Sequence, residues 1–362
     1  MTPEQTELAR QRLWLGITNV GFWVLAALVG IYWELYCATP ALGAREFTAV
    51  GTAAFSVQAL FDFIGGVLLM PGNRPGMADF FRRWSCSVLG HTLVLAGVGL
   101  LSYTSFRFTG GFGPAIVVAT VGLALCRKGL LRVIGGVSAK AIAYDGRQIL
   151  TAGTADPAFT GGIVGFGRHA ESLLPATWLK SLPHHELAAE LRRRQWQIAN
   201  GLPGRAVILI LGWNILGSCA GSLSLDLADR TPAEALFGHA CWMTLWAFCG
   251  LLALPALSRK AVFAADRASA DSGLDPCGWI ARFPGLVGED GSLNTIAHTI
   301  FYPIPSAAMR LHQVENSSSG FVPGDLARSN LYYSWATFTL LGRTVHCNVG
   351  RPSLWVFPPS QG

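Results

Sequence analysis

The chain has 362 residues, 51% of them hydrophobic and only 13% charged, against a charged share of roughly 25% in soluble domains. Together with a mean hydropathy of +0.40, this argues against a soluble enzyme and for a membrane protein with lipid as its first partner. The net charge of +6 is spread over short loops and forms no dense basic face, so no nucleic-acid partner is expected.

The opening MTPEQTELARQR carries both signs of charge and leads into a long apolar run with no small-residue cleavage site. It reads as a retained anchor, not a secretory signal. Crossing the hydrocarbon core takes about 20 mostly apolar residues. Six stretches qualify: 13–33, 47–70 (interrupted by Asp62), 85–106, 108–126, 206–225 and 235–257. The third and fourth are separated only by Arg107 and predict a tight helical hairpin. The fourth is Gly-rich at its start and is the weakest of the six.

Basic residues then set the orientation, because Lys and Arg are retained on the cytoplasmic side. Arg10 and Arg12, Arg74, Arg82 and Arg83, Arg127, Lys128 and Arg132, and Arg259 and Lys260 all fall at one end of the spans. The loop after the fifth span, with Asp226, Asp229, Arg230 and Glu234, is net acidic. Both termini are expected in the cytoplasm, with the spans in a bacterial-type inner (plasma) membrane.

This ordering predicts a four-span N-terminal membrane domain over 1–126. A cytoplasmic domain follows in two pieces, 127–205 and 258–362, interrupted by a transmembrane hairpin over 206–257. In the first piece, KAIAYDG, RQILTAG and GGIVGFG are short β-like runs bounded by Gly and Asp. From Ala170 to Ala199 the Leu and Trp spacing predicts helix. LYYSWATFTLL (331–341) is too short to span and is expected as a helix packed on the soluble domain; ENSSSGFVPG (315–324) is expected as a loop. No internal repeat stands out. The eight cysteines form no CxxC pair, and five lie inside apolar runs, so neither a disulfide framework nor a zinc ribbon is expected.

Four motifs in order carry a family resemblance. They are DPAFTGGIVGFG (156–167), LPHHELAAEL (182–191), SRKAVFAADR (258–267) and PSAAMRL (305–311), with two spans inserted between the second and third. In this pattern, over roughly residues 130 to 312, the chain resembles the HtpX-like and CAAX-prenyl-protease-like membrane zinc metallopeptidases, metallopeptidase family forty-eight. The resemblance implies a multi-pass α-helical membrane protein with a cytoplasmic α+β gluzincin-like domain. The first motif is similar to the strand that pairs with substrate backbone in that family, which places peptide binding at Gly161, Gly162, Ile163 and Val164. The second is similar to the lead-in to the metal-binding helix, the third to the stretch supplying the third ligand, and the fourth to a later Pro-Ser-x-x-x-Arg element.

The chemistry that goes with the resemblance is missing. Zinc hydrolysis of this kind needs two His one helical turn apart, a Glu beside the first as general base, and a third ligand from elsewhere. Laid over this sequence, the family pattern puts Arg193 at the first His, Arg194 at the Glu, Gln197 at the second His and Val262 at the third ligand. Only Asp266, a supporting residue in the family, is retained. A guanidinium has no lone pair to give a metal and keeps its positive charge. Arg193 or Arg194 is therefore expected to stand in for the metal cation and pair with Asp266, joining two helices.

An alternative register places ligands at His184, His185 and Glu190. Positions five apart on a helix lie about 140° apart around its axis, so His185 and Glu190 diverge. Asp62, His91, Asn214 and His239 lie in spans without a repeated pattern and are expected in helix contacts; His346 and Cys347 lack a third partner for metal binding and are expected in packing or a turn. No cofactor is expected, and zinc enters only under the alternative register. The sequence therefore predicts a catalytically inactive relative of a membrane metallopeptidase that binds a protein or peptide segment. The competing expectations are an active zinc metalloendopeptidase using His185 and, behind it, a transporter.

Overall fold

The computed structural model describes residues 3–41, 44–70, 76–154, 156–287, 302, 304–315 and 321–359. Among these, six helices are long and apolar enough to cross a membrane. They are α1 (Pro3–Tyr32), α2 (Ala44–Phe63), whose spanning stretch Gly51–Leu68 runs on through the π-helical turn Ile64–Leu68, α3 (Met77–Thr109), α4 (Gly113–Val133), α7 (Leu202–Ser224) and α8 (Pro232–Asp271). Shorter helices include α5 (Trp178–Ser181), α6 (His184–Ala199) and α9 (Cys277–Val287), with four more after them in the C-terminal part. All six expected spans coincide with long helices, including the fourth. Leu93, Leu100, Leu125 and Leu223 are 65 to 80% exposed. Large aliphatics so bare suit contact with hydrocarbon, where helices also satisfy their own backbone groups.

Both helical hairpins are closed by local chemistry. Between α3 and α4, the Ser105 and Thr109 hydroxyls donate to the Gly111 carbonyl at 2.8 and 3.2 Å. α8 opens on a capping box: the Glu234 amide donates to Thr231 Oγ1 and the Glu234 carboxylate accepts from the Thr231 amide. Trp242 and Trp246 of α8 donate to the carbonyls of Gly217 and Trp213 on α7, at 2.8 and 3.0 Å. With 40 residues, α8 is roughly 60 Å long at 1.5 Å per residue, about twice what a span needs. Its far end carries Asp266 well beyond the apolar stretch.

The sheet has four strands, β1 (Ala139–Tyr144), β2 (Arg147–Ala152), β3 (Gly162–Val164) and β4 (Glu171–Pro175), in the order β1-β2-β4-β3. β1 and β2 form a hairpin through Asp145 and Gly146, both at positive φ (51° and 70°), which is the Asp-Gly signature of a two-residue turn. β2 pairs with β4 in parallel and β4 with β3 antiparallel, leaving β3 at an edge. The helical reading from Ala170 is corrected here: ESLLP is β4, and helix begins at Trp178. This short apolar run is buried along almost its whole length, and periodicity alone cannot separate such a strand from a buried helix.

A second correction concerns the C-terminal part. The segment 331–341, expected on the soluble domain, enters the bundle. It continues the helix Leu326–Tyr333 through a turn at Ser334–Thr337 into the short helices Leu341–Thr344 and Pro352–Val356. Trp335, Trp355 and Phe357 are completely buried there. Glycines make room for this chain. A Cβ on Gly65 would lie 2.5 Å from the Val349 carbonyl and one on Gly250 2.8 Å from Asn330; Gly16 of α1 sits directly against His346.

Polar ties fix the tail. Asp62 accepts from Gln58 (3.0 Å), Trp84 (3.0 Å), the Gly350 amide (3.1 Å) and Arg343. Tyr332 donates to the Leu123 carbonyl at 2.9 Å, and Arg351 holds Asp156 in a two-pronged pair. His91 stacks edge-on against Trp335, His239 lies against Phe112, and Asn214 donates to the Tyr333 carbonyl. All four polar residues noted in spans therefore make contacts between elements.

His346 is half-buried, with its ring 4.9 Å from Tyr302. Burial, followed by Arg12 and Arg351, pushes its imidazole down to about 3 from 6.5. The unfolded chain takes up a proton on this histidine below about pH 6.5, and the folded chain does not until about 3. Its favourable contribution is therefore complete above pH 6.5 and declines as pH falls toward 3. At pH 5 the loss is about 2 kcal/mol. A smaller fall in Tm between about pH 7 and 5 is expected in His346→Asn than in the parent, read by thermal unfolding in detergent.

Candidate functional site

α6 exposes one face and buries another, and the buried face is ionic. Glu186, Glu190, Arg193, Arg194 and Gln197 are all buried, beside Leu187, Ala189 and Leu191. Ions so placed are tolerated only when paired and hydrogen-bonded, and here they are. Arg193 Nη1 donates to Glu190 Oε2 at 2.5 Å, and Arg194 Nε to Glu190 Oε1 at 2.7 Å. Arg193 Nε lies 2.6 Å from Asp266 Oδ1 on α8. Arg310, from the helix Ala307–Glu315, grips the same carboxylate with two bonds of 2.7 and 2.6 Å.

Arg194 turns the other way, into the sheet. Its Nη2 donates to the Thr160 carbonyl at 2.8 Å, and its Nη1 to those of Gly162 (3.2 Å) and Leu173 (2.5 Å). One ionic chain therefore runs from the helix Ala307–Glu315 through α8 and α6 to β3 and β4. Its five charged members are no more than 1% exposed. It holds three guanidiniums and two carboxylates, a net of one positive charge; backbone carbonyls take the surplus donors of Arg194, while Arg193 Nη2 has no hydrogen-bond partner among the described residues.

The charges tune one another. Burial opposes the ionised form of Arg193, but Asp266 and Glu190 outweigh it and raise its pKa above the usual guanidinium value. Burial lowers Arg194 against the pull of Glu190, and lowers Arg310 against the pull of Asp266. Arginine stays protonated at any ordinary pH, so these shifts do not uncharge the cluster.

Of the five residues assigned to the family's metal positions, the structure brings Arg193, Arg194 and Asp266 into this chain. Gln197 is buried beside it on the wall of a small cleft, and Val262 is half-buried one turn before Asp266 on α8. Arg193, not Arg194, reaches Asp266. The donor set does not fit zinc. Arg193 and Arg194 offer no lone pair, Val262 offers none, and all four carboxylate oxygens of Glu190 and Asp266 are engaged by guanidinium nitrogens.

The alternative ligand set is not assembled either. His184 and His185 lie in the exposed first turn of α6, with His184 stacked on Tyr144 at 5.9 Å, whereas Glu190 is fully buried. Among the described residues, no three His, Cys, Asp or Glu side chains come together.

The edge strand lies against this cluster. Gly161 has φ of 69° and faces the Leu173 carbonyl too closely for any side chain. A Cβ on Gly162 would meet Arg328 Nη1 at 2.6 Å, and Arg328 donates to the Gly161 carbonyl. Beside β3 opens the small cleft, about 50 Å³, whose walls include Ile163, Gly165, Gln197, Arg127 and Arg328.

Sequence reasoning missed three participants. Glu190 entered only as a possible ligand, although its spacing of three and four from Arg193 and Arg194 is the standard signal for helical ion pairs. Arg310 lies inside the fourth motif without an assigned role. Arg328 had no local signal at all, since its partner Gly161 is 167 positions away.

In overall structure the chain is similar to Ste24p of S. mikatae, known from a crystal structure, with a TM-score of 0.63 and 12% identity over 87% of this chain and 89% of that one. At this identity the likeness concerns the fold, which is thus that of a Ste24p-like multi-pass membrane protein with a small mixed sheet. No protein-family model matches the sequence, and no curated protein does.

Proposed function

We propose that this protein is a non-hydrolytic relative of the membrane metallopeptidases and works by holding an extended protein segment against β3. One observation carries the reading: Arg193, which the family resemblance puts at the first zinc ligand, is fully buried and paired with Glu190 and Asp266. A fixed organic cation there repels a dication and removes the site at which a water would be activated. The likeness to Ste24p supports the fold half of this reading. The edge position of β3 supports the binding half, because an edge strand can accept a peptide backbone with no metal present. The basic ends of the spans favour a cytoplasmic site in an inner membrane.

The test uses a photo-crosslinking amino acid at Ile163, which lines the cleft, and reduced casein as an extended probe. The expected result is a light-dependent adduct with the probe intact. Cleavage of casein by the parent protein, lost in His185→Ala, would instead establish the metallopeptidase.

A further inference from the structure

The sheet has a second open edge, on the side away from β3. β1 pairs with β2 over consecutive residues from Ala139↔Ala152 to Tyr144↔Arg147, with no bulge and no proline on β1. The two-residue turn at Asp145-Gly146 makes Tyr144 and Arg147 a hydrogen-bonded pair. Bonded and unbonded pairs alternate along an antiparallel ladder, so Tyr144, Ile142 and Lys140 direct their backbone groups at β2. Ala139, Ala141 and Ala143 turn theirs outward, and among the described residues no strand pairs with β1 on that side.

An edge of this length is normally blunted by a proline, a bulge, several charges or a covering element, and β1 carries one lysine. Ala141 and Ala143 are exposed and small, so no bulky side chain screens the outward N–H and C=O groups. Ile142 and Tyr144 are half-buried on the other face, with Tyr144 stacked on His184, which holds the strand in place before any ligand arrives. Side chains alternate along a strand, so Lys140 lies on the face of Ile142 and Tyr144 and is itself exposed. Exposed charge from the end of α4 to the start of β2 is mainly basic: Lys128, Arg132, Lys140 and Arg147 against Asp145. A partner strand of negative charge complements this edge, whereas a basic one is repelled.

We infer that β1 is a docking edge at which an extended, acidic protein segment adds to the sheet as a further strand. Main-chain bonds to Ala139, Ala141 and Ala143 supply the affinity, and a carboxylate beside Lys140 supplies the charge selection. The site lies at the opposite edge of the sheet from β3 and does not depend on segment capture there.

The full-length protein in detergent is titrated with two acetylated, amidated peptides, Thr-Glu-Val-Glu-Val-Thr and its Gln counterpart, each carrying a fluorophore. The Glu peptide is expected to bind about fivefold more tightly, and the ratio falls to about one in Lys140→Gln. Ala141→Pro removes an outward N–H that the β1–β2 ladder does not use, so it should weaken both peptides about tenfold while leaving Tm near that of the parent. Equal affinities in the parent, or binding of neither peptide, overturn the acidic docking edge. Undiminished binding to a folded Ala141→Pro overturns strand addition. Should that variant not fold, a photo-crosslinking amino acid at Ala143 decides: an adduct with the Glu peptide supports the edge, and an adduct formed only from Ile163 assigns the peptide to β3. A chain-to-chain adduct through Ala143 that excludes the peptide assigns the edge to a second copy and overturns the proposal. So does a Glu preference that holds in neutral-lipid nanodiscs and vanishes in acidic phospholipid, which assigns the basic stretch to lipid head groups.

Discussion

Arg193→Gln is expected to cost the folded protein about 3–5 kcal/mol, the usual penalty for leaving buried carboxylates without their cation. Glutamine can bond one oxygen of Glu190 or Asp266, but it supplies no charge. Glu190 would retain Arg194 and Asp266 would retain Arg310, so the site loses its bridge and not every tie. The loss should appear as a large drop in Tm by tryptophan fluorescence in detergent, with no change when EDTA or zinc is added. Arg193→Lys, which keeps the charge but loses the two-sided fork, should fall between the parent and Gln. If Arg193→Gln melts with the parent, the cluster does not join α6 to α8 as described.

Deleting residues 334–362 is expected to abolish folding. The deletion removes Trp335, Trp355 and Phe357, all fully buried, and burying a large aromatic contributes about 3–5 kcal/mol. It also strips Arg343 from Asp62 in the middle of the bundle. The three aromatics alone, at about 9–15 kcal/mol, are comparable to the total stability of a typical domain, about 5–15 kcal/mol. Size-exclusion chromatography should show aggregate in place of a monodisperse peak. The milder Arg343→Met leaves Asp62 with Gln58, Trp84 and the Gly350 amide, and should lower Tm while preserving the peak. A truncated chain that stays monodisperse and melts cooperatively would make the tail a peripheral appendage.

Different parts of this molecule were legible in the sequence to different degrees, for physical reasons. The spans were readable because hydrocarbon demands long uncharged helices, a constraint written residue by residue. β1 and β2 were readable because Asp145-Gly146 forces a turn between alternating runs. β4 was not: a strand buried on both faces shows no alternation, and its neighbour β2 is parallel and distant in sequence. The tail was misplaced because its length rules out a span but says nothing about burial among spans. What locates it is a set of glycines, Gly16, Gly65, Gly66 and Gly250, on helices that precede it by as much as 330 positions.

The site divides in the same way. The departure from a zinc-binding pattern could be read from Arg193, Arg194, Gln197 and Val262 directly, since residue type alone fixes what can ligate. That Arg193 or Arg194 pairs with Asp266 followed from charge and from the helices the motifs imply, but which of the two does so required the structure. The involvement of Glu190 was open to reading from its spacing and was assigned instead to a ligand set. Arg310 and Arg328 required the tertiary structure, because each reaches a partner brought near only by the folding of the bundle around it.

The metal content of the full-length protein tests the central claim most directly. Purified in detergent from zinc-replete cells and analysed by plasma mass spectrometry, the chain should carry zinc far below one atom per molecule, at a level unchanged in His185→Ala. One tightly held zinc per chain, lost together with proteolysis in that variant, would contradict the account.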